Sequence, residues 1–397
     1  MRDYHRIWTG NALANLADGL AFVAVPLLAT TVTDDPVKIA ALAMSYSLPR
    51  LLSVLGVGVM VDSFDRRRIL YWANIARALL FAGLTLLSLS GSTTFLALLV
   101  VNATLGVVET MADNAAVAIV QQAVPTKRLD RAHSQIAGTQ IVVDEFIGPP
   151  LGGMTFALSA VAPTALISLA FLGAGLTFAT IRGDYKPPPI APDASRMRVA
   201  QQVVEGLRWT WHHGAARVLV LVGFLASIGY MIPFSYLVLY AQGTLGLPPL
   251  GYGLLLSVSA LGGLLGSILA APLRRRFGYE NTIIGALLLG AAAFVTISMS
   301  GHPVLVGVAL ALYIAHAVIW NILASSVRQK ITPPSLMGRV LSVSRLFSIS
   351  GLIIGAGLGG VLARQLGYQQ PFAIAGGLFL IAALAVLVTR RHFRDIT

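Results

Sequence analysis

Cysteine is absent from all 397 residues, which removes disulfides, thiolate nucleophiles and cysteine-held metals from consideration. Charge is scarce too. Only 11% of residues are Asp, Glu, Lys or Arg, where a soluble domain carries about a quarter, so the chain cannot cover a water-facing surface. Three signatures are also missing: a Gly-x-x-x-x-Gly-Lys-Ser/Thr loop for ATP, a His-Glu-x-x-His zinc site and a Gly-x-Ser-x-Gly nucleophile. These gaps argue against covalent chemistry. The expectation is a protein that is not an enzyme, holds no cofactor and no metal, and draws its energy from an ion gradient or acts passively.

Apolar residues fill the chain instead, at 56% with a mean hydropathy of +0.79. They come in runs of about 20, the length that crosses about 30 Å of hydrocarbon at 1.5 Å per residue. Lipid offers no partner to backbone polar groups, and a long unbroken apolar run satisfies them as a helix. Barrel strands would alternate polar and apolar instead. The fold class is therefore an all-α polytopic membrane protein. Twelve spans fall at roughly 7–31, 38–61, 69–90, 94–119, 133–158, 162–182, 215–240, 249–272, 280–300, 303–326, 338–363 and 369–389. The first run is too long for a signal peptide and lacks a small-residue cleavage site, so it reads as the first span.

The net charge of +12 is distributed as an orientation signal. Arg66-Arg67-Arg68, Lys127-Arg128, Lys186 with Arg196 and Arg198, Arg274-Arg275-Arg276, and Arg328 with Lys330 follow the even-numbered spans, and both termini are basic. By the positive-inside rule these loops and both ends are cytoplasmic, in the inner membrane of a bacterium. The same charge attracts anionic membrane lipids, and nucleic acid is not expected as a partner. In the long polar stretch, Tyr185-Lys-Pro-Pro-Pro is a stiff extended linker. Met197 to His213 then places Val199, Val203, Leu207 and Trp211 on one face of an amphipathic surface helix.

That stretch divides two halves that repeat. Gly148-Pro-Pro-Leu-Gly-Gly153 recurs 207 residues later as Gly355-Ala-Gly-Leu-Gly-Gly360, and Gly58 and Arg66-Arg67-Arg68 recur as Gly266 and Arg274-Arg275-Arg276. A six-helix unit has been duplicated in the same orientation, as in alternating-access transporters. The expected domains are 1–182 and 215–397, two pseudo-symmetric six-helix bundles, joined by 183–214.

Two six-span halves with these loops resemble the major facilitator superfamily over essentially the whole chain. The loop Gly58-Val-Met-Val-Asp62-Ser-Phe-Asp-Arg66-Arg67 is similar to that superfamily's signature between spans 2 and 3, with Ser63 and Asp65 replacing the usual Arg and Gly. Gly148, Pro149, Gly152 and Gly153 resemble the motif of its antiporter branches. Asn15-Leu-Ala-Asp18-Gly19 and Leu48-Pro49-Arg50 look like the twelve-span macrolide and siderophore exporters. The resemblance implies twelve transmembrane helices, antiport with protons, a monomer, and a cytoplasmic gate at Gly58, Asp62, Arg66 and Arg67.

Ionisable groups at the bilayer centre cost about 2.5–3.5 kcal/mol each. Asp18, Arg50, Glu109 and Asp144 each lie roughly 15 Å from the cytoplasmic end of their span, at one level in four different helices. Glu145 adjoins them. Four acids against one base at that level make Asp18, Glu109, Asp144, Glu145 and Arg50 the candidate proton-coupling set, with mutual ion pairing as the structural alternative. Asp144, Gly148 and Gly152 share one helical face at i, i+4, i+8 spacing, and Gly351, Gly355 and Gly359 repeat it with glycine throughout. Arg77 and Asp113 sit shallower and are expected to pair as a brace at the cytoplasmic gate. Asn15, Phe22, Met44, Tyr230, Met231, Phe234 and His316 are candidate cavity walls for an amphipathic or cationic substrate; interhelix hydrogen bonding is the alternative for the Asn15–Phe22 stripe, and a lone His in an apolar helix such as His316 is more often a hydrogen-bonded core residue. Function then divides between proton-coupled drug efflux, a dedicated exporter of one endogenous metabolite such as a siderophore, and a non-transporting receptor.

Overall fold

A computed structural model describes residues 2–61, 64–183, 185–186 and 196–393. Its helices are α1 (Arg2–Thr30), α2 (Pro36–Val61), α3 (Arg66–Leu89), α4 (Phe95–Ala123), α5 (Leu129–Gln140), α6 (Gly148–Leu158), α7 (Val161–Ala179), α8 (Arg196–His212), α9 (Gly214–Phe234), α10 (Leu237–Leu239), α11 (Pro249–Ser298), α12 (Pro303–Ile331), α13 (Met337–Leu366) and α14 (Gln370–Val388). No strand occurs among the described residues.

Ten stretches among the described residues, one of them running through α5 and α6 together, are long and apolar enough to cross a membrane. One of them, α11, has 50 residues, so a straight rod would reach roughly 75 Å at 1.5 Å per residue, more than twice the hydrocarbon thickness. It breaks at Gly278, whose φ of 78° and ψ of 175° suit a residue without a Cβ. It therefore supplies two passes. The 26-residue α2 supplies another, which completes twelve. Polar residues set the helix starts. Asp65 accepts the Arg67 N–H at 2.9 Å to cap α3, and Thr94 accepts that of Ala97 at 3.2 Å to cap α4.

The chain divides into two compact units. The first comprises Met1–Asp34, Ser45–Asp193 and Leu247–Ser257; the second comprises Asp35–Met44, Ala194–Gly246 and Val258–Thr397. Lipid tails are as apolar as leucine, so close packing rather than water exclusion holds each unit together. Phe81 and Phe171, both fully buried, meet between α3 and α7 in the first. In the second, Phe294, Tyr313, Phe372 and Phe379 interlock, with the Phe294 and Tyr313 rings stacked at 4.0 Å. The helix α8 buries Gly206 and Thr210, Gly206 lying against Arg339 of α13, and turns Val204, Leu207 and Trp211 outward. Its outer stripe thus carries Val204 where the sequence pattern pointed to Val203, because the Gly206 contact sets the rotation. A Glu205–Arg339 ion pair at 2.7 Å holds it there.

Candidate functional site: a charged cluster in the first unit

Glycine decides where the helices of the first unit touch. A Cβ on Gly106 of α4 would run into the Tyr46 carbonyl of α2, so only hydrogen lets the two helices close up. One turn further along α4, Glu109 accepts a 2.5 Å hydrogen bond from the Tyr46 hydroxyl. Arg50, one turn beyond Tyr46, donates to that hydroxyl at 3.1 Å. The same guanidinium lies 3.9 Å from Glu109 and 3.6 Å from Asp113. Tyr46 was not singled out from sequence, although its i, i+4 position before an arginine in a membrane span was the available signal.

A second crossing brings in Asp18. A Cβ on Gly148 would lie 2.6 Å from the Gly19 Cα, and one on Gly152 would lie 2.9 Å from the Leu20 carbonyl oxygen. Asp18, next to that contact, meets Arg77 of α3 at 3.4 Å. Arg77 is only 3% exposed. It also donates to Asn74 at 3.0 Å and lies 4.5 Å over the Phe171 ring, while its Nε has no partner. The expected Arg77–Asp113 brace is therefore replaced by two different pairs. Stacking on Phe171 of α7 draws the Arg77 guanidinium away from α4, and Asp113 turns to Arg50. Asp18 remains within electrostatic reach of Glu109, Asp144 and Asp113.

Asp144 and Glu145 do not sit on an ordinary α-helix. Ile141–Ile147 winds as a π-helix, whose wider turn breaks the expected i, i+4 spacing to Gly148. Pro149 and Pro150 follow, and neither has an N–H to give the carbonyls of Glu145 and Phe146 four residues back. The Ser257 hydroxyl of α11 supplies the missing donor, at 3.3 Å and 3.1 Å from those two oxygens. The glycine motif serves two neighbours. Gly148 and Gly152 face α1, whereas Gly153 lies against Pro249 and Leu250, and Gly253 returns the contact to buried Pro149. The side chain of Gln140 bonds Asp144, and among the described residues no arginine or lysine pairs with it. Glu145 is exposed.

The arginines expected at the gate are occupied by the end of the sixth span. Arg66, itself buried, donates to the Tyr185 carbonyl at 3.3 Å; Arg67 donates to that of Ile181 at 2.8 Å, and Arg6 to that of Thr180 at 2.7 Å. Arg6 and Arg67 thus meet the carbonyls just past the negative end of α7, and Arg66 holds the chain that follows it. Burial, with the bonded Asp3 carboxylate adding to it, raises the Tyr185 hydroxyl above its ordinary value. Asp62 lies outside the described residues, and Gly58 is described only as part of α2.

The expected cavity residues divide between the units. In the first, Asn15 donates to the Asn11 carbonyl of its own helix at 2.7 Å, and Phe22 is 52% exposed. In the second, Tyr230 and Phe234 lie 4.4 Å apart, Met231 packs its Cβ toward Gly355, and Met44 approaches Gly357. His316 is a correction. It is 1% exposed, has its Nδ1 2.6 Å from the Tyr313 carbonyl, and is wedged between Tyr313 and Phe379 above Gly290, so it is core and no wall.

Residues 2–395 match the family model described as transmembrane secretion effector. The chain is 27% identical to the multidrug efflux pump Tap of Mycolicibacterium fortuitum, over 96% of this chain and 95% of Tap. It is 23% identical to the enterobactin exporter EntS of Escherichia coli (strain K12), over 99% of this chain and 93% of that protein. Among solved structures, a point mutant of the nucleoside transporter NupG superposes with a TM-score of 0.81 at 13% identity, covering 98% of this chain and 99% of that one. The fold is accordingly the twelve-helix major facilitator fold.

Proposed function

This chain belongs to the transmembrane secretion effector family of the major facilitator superfamily, and we propose that it exports amphipathic or cationic small molecules in exchange for protons. It is a multi-pass membrane protein. In the proposal it works as a monomer in a bacterial inner membrane with both termini in the cytoplasm, an orientation supported by the basic even-numbered loops. Residues 1–182 and 215–397 are the moving bundles and 183–214 is their tether. The observation that carries the coupling step is a charge excess. Asp18, Glu109, Asp113, Asp144 and Glu145 stand in the first unit with Arg50 and Arg77.

The cluster supports a simple exchange mechanism. Protonation of Asp18 removes its hold on Arg77, and protonation of Glu109 removes its hold on Arg50. Each guanidinium then has a choice of partners, which makes the cluster bistable. Among the described residues Asp144 has no arginine or lysine partner, so its charge is one that hydrocarbon penalises. A cationic substrate would replace the proton at these carboxylates. Dye efflux from proteoliposomes under an imposed pH gradient tests this. Asp18→Asn, Glu109→Gln and Asp144→Asn are each expected to slow it at least tenfold, and unchanged rates in all three remove the mechanism.

A second reading is a carrier dedicated to one endogenous metabolite, favoured by the likeness to a protein named as an enterobactin exporter. One compound that competes strongly while most of a chemically varied panel does not would select it.

A further inference from the structure

The second unit contains a groove that the transport reading does not use. It has a volume of about 350 Å³ and is walled by Leu273, Phe277, Asn281, Gly285 and Leu289 of α11, with Ile319 of α12 at its back. That volume is at the small end of ligand pockets, roughly 300–1,000 Å³. Its shape comes from two glycines. Gly278 breaks α11, and a Cβ on Gly285 would meet nothing within 4 Å, so the floor is open rather than packed. The exposed line along this arm of α11 is Asn281, Gly285, Leu288, Ala292 and Val295. Beyond Asn281 it is wholly apolar. A wall facing water would carry polar groups there, so the groove opens to hydrocarbon.

Its rim is cationic. The Arg276 guanidinium lies 5.4 Å over the ring of Phe277, which is itself a wall of the groove. Arg274 and Lys330 both lie over Tyr279, at 5.3 Å and 5.0 Å. From Leu273 to Leu289 the sequence holds Arg274, Arg275 and Arg276 against one acid, Glu280. An apolar slot open to lipid, with Arg276 over the ring of one wall residue and Arg274 and Arg275 just before it in the chain, has the two-part chemistry of one ligand class. We propose that this groove is a binding site for an anionic phospholipid, its acyl chain beside Gly285 and its phosphate at Arg275 and Arg276. Basic pockets between membrane helices hold anionic headgroups by the same logic. The inference rests on the membrane fold and stands whether or not protons drive export.

The test is native mass spectrometry of the full-length protein, released from nanodiscs containing equal parts phosphatidylglycerol and phosphatidylcholine. The unmodified protein should retain phosphatidylglycerol preferentially. Arg276→Gln should lower the retained ratio about fivefold, the loss of one surface cation's attraction. Gly285→Phe, which fills the slot, should reduce retention of both lipids at this site while leaving the arginines in place. Arg364→Gln, a cation on the opposite loop side, should change nothing. Equal retention of the two lipids by the unmodified protein overturns the proposal. So does an Arg276→Gln protein that keeps its preference, or an equal loss in Arg364→Gln, which reduces the effect to net charge. Where Gly285→Phe does not fold, the two arginine variants decide the matter.

Discussion

Replacing Asp18 by Asn separates structure from coupling more sharply than any other change. The carboxylate lies 3.4 Å from Arg77 Nη1, and Arg77 is 3% exposed with only Asn74 and the Phe171 ring as further support. Breaking a fully buried ion pair costs about 3–5 kcal/mol. The Asp18 side chain is 31% exposed, so solvent takes up part of that, and a loss of about 1–2 kcal/mol is expected in detergent. Arg77→Gln alone should cost a similar amount. The double variant Asp18→Asn, Arg77→Gln removes both charges and should recover stability to within about 0.5 kcal/mol of the unmodified protein, since neighbours of this kind couple strongly.

The assay pairs thermal unfolding with two transport measurements, dye efflux driven by a pH gradient and dye exchange without one. If Asp18 carries the proton, the double variant regains stability and exchange but not gradient-driven efflux. If the pair is only a brace, restored stability brings restored efflux. That second outcome, or normal efflux in Asp18→Asn itself, would refute the reasoning.

Four further outcomes follow from the packing. Gly148→Ala should sharply reduce folded protein, because its Cβ would sit 2.6 Å from a backbone atom of Gly19; Gly83→Ala, with nothing within 4 Å, should stay within about 0.5 kcal/mol in the same melting assay. Ser257→Ala should cost about 1–3 kcal/mol by leaving the Glu145 and Phe146 carbonyls without their donor, whereas Ser257→Thr should melt near the unmodified protein. Arg339→Ala should cost under about 1 kcal/mol, since its partner Glu205 is 55% exposed; a larger loss that disappears in Glu205→Ala would make the pair a stronger anchor for α8. Asp144→Gly should melt close to the unmodified protein yet lose gradient-driven efflux, and retained efflux would remove Asp144 from the coupling set.

Much of the frame was legible because hydrocarbon imposes few rules and each leaves a trace. Runs of about 20 apolar residues marked the passes, and the basic loops marked the even-numbered ends. The repeated glycine block from Gly148 marked a crossing. The site was legible in its members and not in its pairings. Charges in membrane helices announce themselves, but partner choice depends on helix rotation and on neighbours that carry no charge. Nothing in the sequence said that Phe171 would take the Arg77 guanidinium, or that Asp113 would be left to Arg50. The π-helix at Ile141–Ile147 was hidden for a similar reason. The prolines that free the Glu145 and Phe146 carbonyls were visible, but Ser257, which accommodates them, comes from a helix more than 100 residues away. His316 stands in the core, as a lone histidine in an apolar span more often does, and the aromatic ring cage that takes it away from any cavity wall was not visible in the sequence.

The duplication supplies a control within one molecule. In the second unit Gly351 and Gly355 of α13 press on Phe224, Ser227 and Ile228 of α9, as Gly148 and Gly152 press on Gly19 and Leu20. The two crossings rest on the same small-residue logic. At the second one the position matching Asp144 is Gly351, and the hydroxyl of Ser227 turns back on its own helix at 2.8 Å from the Gly223 carbonyl. The frame therefore closes without any carboxylate. Closing the crossing does not require an acid, and burying charge there costs free energy that its twin does not spend. In the proposed mechanism, what the acids add to the first unit is charge that can be lost and regained beside Arg50 and Arg77. A crossing that closes in one unit without acids, and in the other holds them where charge is costly, is the physical argument behind proposing them for transport.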